Sequence, residues 1–182
     1  MNSFMKSLTP NGFTDRLLQD GKVYKAKRVV EPMDVVITDG GRKDAGFKDK
    51  RDGKGDCVTR AVAIASGLDY QKVWDDFTAM NAKTRQTKRT AKRAKDNADS
   101  GVYMKRKAFK DYMKELGFEW VPTMKIGSGC TVHLRKGELP TKGRMVVNVS
   151  RHAVAVVDGV VHDTYDPCRG GTRCVYGYWI KK

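Results

Sequence analysis

Cys57 stands where a reactive thiol can be made. Asp56 precedes the run Cys57 to Ser66, whose apolar residues Val58, Ala61, Val62 and Ala65 recur at i, i+3, i+4 and i+7, the spacing that lays one apolar stripe along an α-helix. A thiol attacks as its thiolate, and the unpaired N–H groups and dipole at a helix start favour that anion, more so beside an imidazolium. Such a nucleophile needs a base, and the base needs an acceptor on its far ring nitrogen. His152, which opens the strand-like run His-Ala-Val-Ala-Val-Val, is the candidate base.

The acceptor follows from a turn. Asp158-Gly159 reads as a two-residue hairpin loop. With that loop Val157 pairs with Val160, Val154 with Asp163 and His152 with Tyr165, so Asp163 leaves the same sheet face as His152, one diagonal step away. Asp166 has the opposite parity unless a bulge or turn intervenes. Asp163 is therefore the preferred orienting residue, with Asp166 as the alternative.

The elements that must position these groups can be read around them. Asp56 is expected to cap the first helix with a side-chain oxygen, and Gly67 to end it in a left-handed conformation. A second helix starts from an Asp69 cap and carries Tyr70, Val73, Trp74, Phe77 and Met80 at the same spacing. A third spans about Tyr103 to Leu116 and stops at Gly117. Four runs rich in Val, Tyr and Trp then read as strands: Met145 to Val149, His152 to Val157, Val160 to Thr164 and Cys174 to Ile180.

The chain upstream is less regular. Residues 1–20 carry a weak helical pattern, and Val23 to Val30 and Met33 to Thr38 read as short strands on either side of Glu31-Pro32. Asp39 to Asp56 holds five glycines and scattered charges and reads as a loop. The expected division is a short-strand extension over residues 1–50 and a main domain over 51–182, with a basic helical insertion at about 81–100. Helices first and an antiparallel sheet second make an α+β arrangement.

Composition sets outer limits. The 182 residues carry 36 Lys+Arg against 21 Asp+Glu, a net charge of +15, with 40% hydrophobic residues and a mean hydropathy of −0.59. That apolar content excludes disorder throughout and suits a single core. Apolar runs such as Ala153 to Val157 fall far short of the roughly 18 to 20 residues of a membrane helix. The start, Met1-Asn2-Ser3-Phe4-Met5-Lys6, lacks the pattern of a secretory signal, so the expected compartment is the cytoplasm. Cys57, Cys130, Cys168 and Cys174 have no disulfide-framework spacing and are expected as reduced thiols.

Taken together these motifs resemble a known family. Gly55-Asp56-Cys57-Val58-Thr59-Arg60-Ala61 at a helix start, followed by Arg144 to Val149 and His152 to Val157, is similar to the papain-like cysteine peptidase superfamily in its order of cysteine helix, histidine strand and acid strand. His162-Asp163-Thr164-Tyr165 resembles the papain motif in which the orienting residue precedes a small hydroxyl residue and an aromatic. Asp166-Pro167 instead resembles the leader-peptide peptidases of bacteriocin exporters, so the likeness leaves the third residue open. It covers roughly residues 55–180 and implies a papain-like α+β fold, with amino-terminal helices on a carboxy-terminal antiparallel sheet. It also implies thiol-dependent hydrolysis of a peptide, isopeptide or related amide bond, with a peptide or protein substrate and no cofactor.

Short proteins of this pattern are similar to proteins encoded by bacteriophages, which implies a phage origin and a place in the host cytoplasm or the virus particle. One departure from the family is the missing Gln ahead of the cysteine: Lys50-Arg51-Asp52-Gly53-Lys54 holds none. Oxyanion stabilisation then falls to the Cys57 backbone N–H, with Arg51 or Lys54 as candidates.

Two other features carry chemistry. Cys130-Thr131-Val132-His133 could present two zinc ligands, completed by Cys168 and Cys174, but the last pair encloses five residues with Gly170 and Gly171 among them, which is no metal knuckle. No metal is expected. Residues 81–110 hold eleven Lys+Arg against two acids, a net +9. If helical, Arg85, Lys88, Arg89 and Lys92 form a cationic stripe, with Arg93 beside it, and such a stripe suits phosphates without reading sequence. The alternative function is thus an inactive papain-like scaffold that binds nucleic acid, or a protein partner, through residues 83–107, as in a virion component.

Overall fold

The computed structural model describes residues 16–19, 22–25, 30–48, 55–83, 98, 101–125 and 127–182. The chain falls into two compact units, Met1–Val30 and Glu31–Lys182. In the first, β1 (Arg16–Gln19) and β2 (Lys22–Lys25) pair as an antiparallel hairpin. Of the weak helical pattern over 1–20, residues 16–19 form a strand and the others lie outside the described residues. The apolar pair Leu17-Leu18 fits either period, and runs this short do not discriminate.

The second unit contains β3 (Val35–Ile37), α1 (Cys57–Ser66), α2 (Tyr70–Ala82), α3 (Lys107–Glu115), β4 (Glu119–Pro122), β5 (Arg144–Val149), β6 (His152–Val157), β7 (Val160–Asp163) and β8 (Val175–Lys181). It is an α+β unit with a six-stranded sheet in the order β3-β7-β6-β5-β8-β4. The sheet is mixed, which corrects the antiparallel expectation: β3 runs parallel to β7, with Val35 opposite Val161 and Ile37 opposite Asp163. β3 is hydrogen-bonded into this sheet and so belongs to the second unit, which begins at Glu31. The edge strand β4 was not foreseen. Its four residues are too few for a period, and Pro122 is tolerated because an edge strand leaves one row of backbone groups unpaired.

Alternation along the strands explains the core. Ala153, Ala155, Val146 and Trp179 face Val58, Val62, Val73, Phe77, Phe109 and Met113 of the helices. Val154, Val156, Met145, Val147, Val161 and Val175 point to the other face, where Met33, Leu134 and Leu139 cover them. Both faces of β6 are dry, so its sequence shows no polar alternation.

The helix ends follow expectation only in part. Gly67 adopts φ +76° and donates its N–H to Ala63 O at 2.9 Å, closing α1. Asp56 makes no side-chain cap bond to α1, and Asp69 makes none to α2. The third helix starts at Lys107, four residues late, after a turn closed by Arg106 N–H on Tyr103 O at 3.0 Å.

The expectation of four reduced thiols is also corrected. Cys130 and Cys174 form a disulfide with a Cα–Cα distance of 5.9 Å, and Cys57 and Cys168 are free. The cause is tertiary: the loop around Cys130 lies antiparallel beside the approach to β8, with His133 opposite Cys174. Among the described residues no helix is long and apolar enough to cross a membrane.

Candidate active site

Three chain ends meet at one end of the sheet. His152 is the first residue of β6, Asp163 the last of β7, and Cys57 the first of α1, which packs across β6. The Asp158-Gly159 turn has left-handed backbone at both residues, φ +47° and +80°, the pair that a tight hairpin loop requires. It sets Val157 opposite Val160 and Val156 opposite Val161. Asp163 therefore arrives on the face of His152.

The two residues are bonded. Nε2–H of His152 donates to Asp163 Oδ2, while Asp163 Oδ1 accepts the Thr164 N–H at 2.7 Å. Their side chains are 8% and 4% exposed. With Nε2 engaged by Asp163, Nδ1 is the ring nitrogen left over, and Cys57 is close enough to act on the imidazole's protonation. Burial alone would lower the His152 pKa. The hydrogen bonds and negative charge of Asp163 and Cys57 outweigh it and raise the value to about 9. Cys57 itself is half-buried, and its thiol is free.

Asp166 takes a different role. It is exposed, and its Oδ1 accepts the Cys168 N–H at 2.7 Å within the turn that follows β7. Of the oxyanion candidates, the Cys57 N–H heads α1, where it has no acceptor within the helix. Arg51 and Lys54 lie outside the described residues, as do Arg85, Lys88, Arg89, Lys92 and Arg93. Cys130, Cys168 and Cys174 do not converge on His133 as a metal set: Cys130 and Cys174 are bonded to each other and Cys168 is fully buried. Among the described residues no cluster of three His, Cys, Asp or Glu could hold a metal.

Several residues that support the site were missed. Arg60, one turn along α1 from Asp56, is 7% exposed and reaches both Asp56 at 3.8 Å and Asp163 at 3.9 Å, while its Nη1 donates to Thr164 Oγ1 at 3.2 Å. Arg42 donates to Asp56 Oδ2 at 2.9 Å and to the Tyr70 hydroxyl at 2.7 Å. Tyr70 in turn donates to Asp56 at 3.1 Å. Asp56 therefore spends its carboxylate on arginines and a tyrosine, which is why it does not cap α1. Burial and the Asp56 charge raise the Tyr70 pKa, so that hydroxyl stays protonated. Arg60 lies off the apolar stripe of α1, on the side where a cation reads as solvent-facing, so its burial had no signal in the sequence. Arg42, in a glycine-rich loop, had none either.

Two further contacts flank His152, one on its ring and one on the turn before it. The Tyr165 ring packs 5.3 Å from the His152 ring, centroid to centroid. Arg173 donates to Ser150 O at 2.6 Å, fixing the turn just before His152. No family model, curated protein or solved structure matches this chain.

Proposed function

We propose that this chain is a thiol-dependent hydrolase of peptide, isopeptide or related amide bonds, with Cys57, His152 and Asp163 in a papain-like arrangement. The observation that carries the reading is the imidazole of His152, bonded through Nε2 to a buried carboxylate and raised in pKa by that carboxylate together with a helix-start thiol. In the reaction Cys57 passes its proton to His152 Nδ1, and the sulfur attacks the substrate carbonyl carbon. The oxyanion forms near the Cys57 N–H. The imidazolium then returns the proton to the departing amine, leaving an acyl group on sulfur. His152 next deprotonates a water that attacks this thioester, which restores the thiol. Asp163 accepts the Nε2–H throughout, holding the ring in orientation and favouring its charged form.

A fluorogenic peptide-amide library tests the reading. Amine release from the wild type, its loss in Cys57→Ala, and its arrest by iodoacetamide are expected. If the library stays intact, and Cys57 alkylates at a rate that is unchanged in His152→Ala, the reading fails.

The density of cations over residues 81–110, together with the missing Gln, favours a second reading, an inactive scaffold that binds nucleic acid as part of a virion. Under it, affinity for duplex DNA falls steeply with added salt and is lost when Lys88, Arg89, Lys92 and Arg93 are neutralised. DNA affinity that ignores both changes would remove it.

A further inference from the structure

The disulfide carries its own titratable pair. Cys130 is exposed and Cys174 half-exposed, so the disulfide lies at the protein surface. His133 Nε2 lies 3.5 Å from Cys130 Sγ, and His133 Nδ1 lies 3.2 Å from Glu138 Oε2. Glu138 is firmly placed: Oε2 also accepts the His133 backbone N–H at 2.6 Å, and Oε1 accepts from Arg135 Nε at 2.7 Å and from Arg135 Nη2. Burial would raise the Glu138 pKa, but Arg135 and the His133 bonds hold it below the usual carboxylate range. An ionised carboxylate only accepts, so Nδ1 is the donor to Glu138 and Nε2 is the nitrogen turned to the sulfur.

The surrounding backbone is tied by hydrogen bonds as well as by the S–S bond. Leu134 N–H donates to Arg173 O and Val175 N–H to Val132 O, each at 2.8 Å. Thr123 Oγ1 donates to Val175 O at 2.7 Å, and Thr131 Oγ1 to Thr123 O at 3.0 Å. These bonds bracket both cysteines. Once reduced, the two thiols remain neighbours, ready to close again.

We propose that Cys130–Cys174 is a thiol–disulfide exchange site that reacts with low-molecular-weight thiols, with His133 as the proton donor to the Cys130 sulfur and Glu138 as the residue that positions His133. The thiolate of a small thiol attacks Cys174 Sγ and forms a new S–S bond. The Cys130–Cys174 bond breaks, its electron pair leaves on Cys130, and that sulfur takes the Nε2 proton of the His133 imidazolium, which is left neutral with its Nδ1–H still donated to Glu138. A second small thiolate attacks the outer sulfur of the mixed disulfide and frees Cys174, which is protonated from water, as is His133. Two small thiols are oxidised to one disulfide, and the protein disulfide is reduced to two thiols. Exposed disulfides with a stabilised leaving thiol exchange readily, whereas purely structural ones resist the glutathione pool.

The site does not involve Cys57, so it stands or falls apart from the hydrolase reading. The full chain is equilibrated in glutathione and glutathione disulfide buffers, with the redox state and the mixed disulfide mapped by mass spectrometry. Reversible reduction with an unchanged far-UV circular dichroism spectrum is expected, with glutathione trapped on Cys174. His133→Gln and Glu138→Gln should each slow reduction at pH 7 roughly tenfold or more, on the scale of general acid catalysis. Because a proton donor speeds both directions, the equilibrium ratio should stay as in the wild type. Reduction only on unfolding, or rates in both variants equal to the wild type, would overturn the proposal and leave a structural cross-link.

Discussion

The guanidinium of Arg60 stands 3.9 Å from Oδ1 of Asp163, the carboxylate oxygen that His152 does not use. The same group lies 3.8 Å from Asp56, so one buried cation is shared by the carboxylate behind the imidazole and the carboxylate beneath the nucleophile's helix.

Removing that cation leaves buried negative charge behind. Arg60→Leu is expected to cost roughly 3 kcal/mol, the lower end of what breaking a buried pair costs, because Arg42 still faces Asp56. Urea unfolding at pH 7 measures it. A loss under about 1 kcal/mol would mean that Arg42 and His152 already balance the site.

The two aspartates separate by function. Asp163→Asn keeps the shape but not the charge, and is expected to lower amide hydrolysis by about 10² to 10⁴-fold. Asp166→Asn, whose side chain serves the Cys168 N–H, should stay within about twofold. Steady-state rates on one fluorogenic peptide decide between them, and a larger loss at Asp166 would exchange the roles.

His152 links the site to pH. Its value is raised from 6.5 to about 9, so the folded state holds the proton more tightly than the unfolded chain. The stabilisation is complete below about pH 6.5 and is lost as pH climbs through about 9. Denaturant midpoints should fall across that window in the wild type and stay flatter in His152→Gln. Cys57→Ala removes one of the two groups that raise the value, so the NMR titration midpoint of His152 should move down. An unmoved midpoint would place the sulfur out of reach of the ring.

Gly177 reports on the far edge of the sheet. A Cβ there would overlap the indole of Trp120 and come within 3.0 Å of Val121 O, and Trp120 itself packs on Trp179 at 5.4 Å. Gly177→Ala should cost about 1 to 3 kcal/mol, and Trp120→Leu, by freeing the space, should recover part of it. Thermal melts of the single and double variants test the coupling; strict additivity of the two losses would refute the overlap.

What the sequence by itself determined was local. Read as a two-residue loop, Asp158-Gly159 sets a register that puts Asp163 on the face of His152 and makes it the preferred partner, with Asp166 kept as the alternative. The 3.6-residue period of Val58, Ala61, Val62 and Ala65 likewise put Cys57 at the head of α1, and Gly67 closed the helix because only a left-handed residue fits there. The tertiary structure decided the rest: the parallel insertion of β3 next to β7, the pairing of Cys130 with Cys174, the capture of Asp56 by Arg42 and Tyr70, and the meeting of Cys57 with His152. Each joins segments far apart in the chain, where loop closure is paid in entropy and the return comes only from packing and charge pairing that no short window contains. Asp56 shows the point most simply: its own helix offered it backbone N–H groups, and a buried arginine from the start of the preceding loop offered a full charge.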